Sequence, residues 1–86
     1  MRLLDWMDRE CLGAASAARR LGIEGVNPGR TLARIASGDR QPDADMIERI
    51  VALTGGAVTA EDMHRTRLAW LRANRPEKFA PREAAE

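Results

Sequence analysis

Tyrosine is absent from this 86-residue chain, and Trp6, Trp70 and Phe79 are its only aromatic residues. Sheets draw on aromatic and β-branched side chains, so this poverty favours a helical core of Ala, Leu, Ile, Val and Met within the 44 % of residues that are hydrophobic. Cysteine occurs once, as Cys11, which excludes an intrachain disulfide and a multi-cysteine zinc site and fits a reducing compartment. No apolar run approaches the ~18 residues that cross a bilayer. The opening "MRLLDWMDRE" turns charged within five residues and lacks the apolar centre of a signal peptide. The chain is therefore expected in the cytoplasm, with no membrane partner.

Lysine is nearly absent too, since Lys78 is the one lysine beside thirteen arginines. Arginine suits bidentate contact with phosphate or guanine, although a GC-rich coding sequence produces the same bias. The net charge of +1 excludes nothing, but its distribution is uneven. Residues 13–40 hold Arg19, Arg20, Arg30, Arg34 and Arg40 against Glu24 and Asp39. Residues 41–62 hold Asp43, Asp45, Glu48, Glu61 and Asp62 against Arg49 alone. One stretch is basic and the next acidic.

What is present reads as helices separated by glycine and proline. Leu3, Leu4, Met7, Cys11 and Leu12 predict a first helix over 3–11 with these side chains, Cys11 included, turned inward; Gly13 ends it. "GAASAARRLG" predicts a slender second helix stopped by Gly22. Asn27 caps a third helix that has Pro28 in its first turn and Leu32, Ile35 and Ala36 facing inward; it runs to about Ser37 and closes at Gly38. Pro42 pre-sets the first turn of a fourth, whose early Asp43 and Asp45 suit the positive end of the helix dipole. Met46, Ile47, Ile50, Val51 and Leu53 make it a core element that stops at Gly55–Gly56. Thr59 and Asp62 form a capping box for a fifth helix from about Ala60 to Asn74. The expected architecture is all-α, one domain over 1–75 and a flexible tail over 76–86.

The second and third helices form a helix-turn-helix candidate. The small Ala18 permits close crossing, Gly22 a sharp turn, and Leu32 and Ile35 pin the third helix across the second. Helical periodicity then puts Arg30 and Arg34 together on the outward face, flanked by Thr31 and Ser37, with Arg40 just beyond the helix. An α-helix fits the DNA major groove, where Arg pairs with guanine O6 and N7. Gly29 lets the helix start lie close to a DNA backbone, and the N–H groups opening the second and third helices suit phosphates. The bland alternative is a solvated basic face, with Thr31 merely bonding back to its own helix.

The segments "AARRLG", "TLARIASGDRQPD" and "IERIVALTGGAVTAEDM" resemble Cro-like, lambda-repressor-type (XRE) helix-turn-helix proteins, particularly the short YdaS-type group of prophages and toxin–antitoxin loci. The likeness covers about residues 3–64. It implies a five-helix lambda-repressor-like bundle that binds double-stranded DNA as a dimer and regulates transcription. By position it implies base contacts from Gly29, Arg30 and Arg34 and phosphate contacts from Thr31, Ser37 and Arg40, with Asn27 completing the candidate DNA-binding set. The chain departs from the family in a longer turn before the third helix and in Ala14 where the family has Gln.

Other chemistry finds little support. His64, beside Glu61 and Asp62, has no positioned nucleophile or second base, so no enzyme, catalytic residue, metal or cofactor is expected. Trp70 and Leu71 are expected to join two copies through the fifth helix, or to pack within the chain. Arg65, Arg67, Arg72 and Arg75 alternatively touch flanking DNA. The leading expectation is a dimeric repressor; the alternative is an interaction module, an antitoxin or adaptor that grips a toxin or a polymerase subunit.

Overall fold

The computed structural model describes residues 1–79, and these form five α-helices and a closing 3-10 turn, with no strand among them. The helices are α1 (Leu3–Arg9), α2 (Ala14–Arg20), α3 (Pro28–Ser37), α4 (Ala44–Leu53) and α5 (Ala60–Asn74). The fold is thus an all-α five-helix bundle. Packing is centred on α3, against which α1, α2 and α5 all rest, while α4 packs on α5. Leu32, at the middle of α3, is fully buried along with Leu3, Ile50 and Val58.

Local chemistry accounts for most helix ends. Asn27 accepts from the Arg30 N–H at 3.1 Å, and Pro28 follows at the first helical position, where no donor is needed. Thr59 and Asp62 complete a reciprocal capping box on α5, each side chain accepting from the other residue's backbone N–H. α2 ends in a Schellman arrangement: Gly22 donates to the Arg19 carbonyl and Ile23 to that of Ala18.

Four expectations need correction. α1 stops at Arg9, two residues short, and Cys11 then takes a positive φ of 54° and is exposed rather than buried. The inward face of so short a helix holds Leu3, Trp6 and Met7; Leu4, about 100° further round, lies outside it and is exposed. Pro42 precedes α4 instead of opening it: Asp43 is the cap, accepting from Met46 at 2.8 Å, and Pro42 is buried ahead of it. The first four residues of the expected tail, Pro76–Phe79, form an exposed 3-10 turn against α5, with Arg72 over the Phe79 ring. Residues 80–86 of the expected tail lie outside the described residues.

α4 contributes less to the core than its pattern suggests. Ile50 alone is fully covered, and Met46, Ile47, Val51 and Leu53 are half-buried. The α4–α5 connection is organised by buried Thr54, whose hydroxyl donates to the Ile50 carbonyl at 2.9 Å and accepts from the Val58 N–H at 3.1 Å. One side chain thereby ties the end of α4 to the approach to α5.

Candidate nucleic-acid interface

On α3 the residues at 30 and 34 are both exposed, one turn apart, while Leu32, Ile35 and Ala36 fill the opposite side. The helix is held at both ends, by Asn27 at its start and by a left-handed Gly38 at its close. Its exposed flank is basic and its buried flank apolar. Among the described residues Arg30 has no carboxylate within ion-pair distance. Arg34 donates from Nε to Asp39 Oδ2 at 2.8 Å, with half of its side chain still accessible to solvent.

The two hydroxyls expected to meet phosphates are engaged with their own backbone. Thr31 Oγ1 donates to the Asn27 carbonyl at 3.3 Å and Ser37 Oγ to that of Arg34 at 3.1 Å, so each hydroxyl proton is already committed. Gly29 also has an internal duty. A Cβ at that position would lie 3.3 Å from the Ala15 backbone nitrogen, so the starts of α2 and α3 touch there, glycine against alanine. Asn27 serves as the cap. Arg40 is exposed, and with Thr31 it lines an open groove of about 480 Å3 whose apolar members include Ile23, Ile35 and Met46. Glu24 and Asp43 line the same groove, and their carboxylates oppose an anion there.

Two arginines beyond the candidate residues of α3 shape this surface. Arg67, reaching across from α5, donates from Nη1 to the carbonyls of Gly38 and Asp39 at 2.8 and 2.7 Å, and its guanidinium stacks 5.3 Å from the centre of the Trp70 ring. A cation thus meets the carbonyl end of α3, where the helix dipole favours positive charge. Arg49 of α4 does the same for α2, donating to the Leu21 carbonyl at 3.3 Å. Arg67, one of four arginines offered as alternative contacts to flanking DNA, is engaged with the end of α3. Periodicity could not reveal this, because the partners lie 28 and 29 residues away in sequence. Asp39 did offer a local signal, an acid five residues after Arg34 and just beyond a glycine stop.

Trp70 of α5 meets Gly38 as well. Its Cβ lies 2.8 Å from where a side chain on Gly38 would begin and its ring carries the Arg67 guanidinium, and the residue is half-buried, as is Leu71. His64 is exposed.

The chain matches no protein-family model, no curated protein and no solved structure. The fold defines a small all-α five-helix bundle. Among the described residues no helix is long and apolar enough to cross a membrane.

Proposed function

We propose that this chain is a sequence-specific double-stranded DNA-binding regulator of transcription, a repressor acting in the cytoplasm as a homodimer on an operator, with α2 and α3 as its helix-turn-helix. The observation that carries the reading is the joint exposure of Arg30 and Arg34 on a capped helix whose other face is locked into the core. Such a rod brings two planar guanidinium forks to a groove edge from a backbone that is already ordered. Arg40 supplies a phosphate contact beside it, while Thr31 and Ser37 contribute only after exchanging an internal hydrogen bond, a cost of about 1 kcal/mol each. Association of two copies through the outer parts of Trp70 and Leu71 would present two such helices to two half-sites.

The test is selection from a library of randomised duplexes followed by gel shift at several salt concentrations. Arg30→Ala and Arg34→Ala are each expected to cost on the order of 1–3 kcal/mol of specific binding and to relax the choice of base at one position. Unchanged base preference in both variants sinks the assignment of this face. A palindromic selected site supports the dimer. The competing reading, a toxin- or polymerase-binding module, draws on the exposed carboxylates of Asp43, Asp45 and Glu48 along α4. Absence of any salt-sensitive DNA binding would favour it.

A further inference from the structure

Asp39 is out of place on a surface meant for phosphates. It sits within a basic stretch, is half-buried, and its carboxylate faces the arginine proposed to read bases. A carboxylate there repels the DNA backbone, so a basic surface shaped only for affinity would do better without it. What it does in this fold is occupy one donor of Arg34. The contact is made through Nε, and Nη1 and Nη2 have no partner among the described residues.

We infer that Asp39 is a positioning residue that orients Arg34 for guanine and thereby determines specificity, and that Arg67 holds Asp39 in place. The inference rests on the reading of α3 as the DNA-contacting helix. An arginine can meet guanine O6 and N7 in two ways: end-on, through both terminal nitrogens, or side-on, through Nε and one of them. With Nε taken by a carboxylate, only the end-on pair remains, and the plane of the guanidinium is set before DNA arrives. An untethered arginine also satisfies a phosphate or other base acceptors equally well; a tethered one does so less readily.

An isolated surface ion pair is too weak to impose such order. This one differs because the backbone of Asp39 is fixed from several directions. Arg67 Nη1 binds both its carbonyl and that of Gly38, Gly38 is wedged against Thr66 and Trp70, and the Arg40 N–H donates to the Arg34 carbonyl at 3.2 Å. The Asp39 N–H also approaches Ser37 Oγ at 3.5 Å. The loop that carries the carboxylate is therefore tied to α5 as well as to α3, leaving only a short side chain to be ordered.

The experiment uses the full chain as wild type, Asp39→Asn and Arg34→Ala, each taken through selection from a randomised duplex library and through titration with an unrelated duplex. Wild type is expected to select a site with one guanine whose preference disappears in Arg34→Ala. Asp39→Asn should lower that same preference on the order of tenfold, while binding the unrelated duplex as tightly as wild type or more tightly, since a negative charge has gone. In the free protein the Arg34 Nε–H should give a protected NMR signal that Asp39→Asn abolishes. If Arg34→Ala loses the preference and Asp39→Asn keeps it, the positioning role is overturned and the DNA-reading helix stands. If wild type selects no site, or Arg34→Ala keeps the preference, the reading of α3 fails and this inference with it. A parallel fall in specific and unrelated binding by Asp39→Asn marks plain structural damage and also overturns the role.

Discussion

Gly38 meets two demands that no other residue satisfies together. Its φ of +94° is one that L side chains rarely adopt, and a Cβ would stand 2.5 Å from the Thr66 carbonyl oxygen and 2.8 Å from Trp70 Cβ. Gly38→Ala is accordingly expected to cost about 3 kcal/mol, combining backbone strain with overpacking, read as a lowered denaturant midpoint. Gly29→Ala makes the useful contrast. The nearest atoms to its Cβ would all belong to Ala15, the backbone nitrogen at 3.3 Å and the Cβ at 3.6 Å, and a gain in helix propensity of at most about 1 kcal/mol opposes that crowding; stability should stay within about 1 kcal/mol of wild type. Equal losses in the two variants would show that contact with α5 does not constrain Gly38. At this scale the sequence was most readable where a side chain acts on its near neighbours, as with Asn27 on Arg30 or Thr59 on Asp62. It was least readable for Cys11, whose exposure follows from where α1 unwinds, and for Thr54, whose partners meet only after the chain turns.

Among the elements, α5 has the most fully defined start. The Thr59 backbone N–H, then the Met1 amino group and the Thr59 hydroxyl, hold the Asp62 carboxyl down at about 2, below the usual carboxylate range. A depressed value means that the folded form favours the ionised carboxylate. Its contribution is complete above the ordinary value near ~3.9 and disappears as pH falls from there through about 2. A carboxyl carbon NMR titration of Asp62 should therefore have its midpoint near 2, rising only part of the way in Thr59→Ala, which removes the hydroxyl but keeps the backbone N–H and the Met1 amino group; that variant should also lose about 1 kcal/mol of stability at neutral pH. A wild-type midpoint near ~4 would mean the capping box is open in solution. The boundaries of α2 to α5 were close to legible because each is flanked by a cap, a proline or a glycine. The faces were less so. A two-turn helix such as α1 offers too few positions for periodicity to place Trp6, and the covering of α4 depends on neighbours that its own pattern does not name.

For the molecule as a whole, α3 is at once the hub of the core and the bearer of the proposed reading face. Leu32 is fully buried where α1, α2 and α5 converge on that helix. Leu32→Ala should cost about 2–5 kcal/mol, a large share of the ~5–15 kcal/mol typical of a folded domain. Thermal unfolding followed by circular dichroism should fall to a much lower midpoint while remaining a single transition. A small shift would show that α3 is a peripheral element. The coupling has a functional side, since the same rigidity that stabilises the core holds Arg30 and Arg34 in a constant relation. From the sequence alone came the all-α class, the order of the helices and the pairing of those two arginines on the outward side of α3. All three follow from local rules of spacing and capping that act within one or two turns. Only the tertiary structure decided that Arg67 and Arg49 serve as anchors for helix ends, that Trp70 seats on Gly38, and that Asp39 grips Arg34 from a loop fastened to α5. These contacts join residues far apart along the chain, or depend on backbone that such joins hold still, and no periodicity in a single sequence records which distant surfaces will meet.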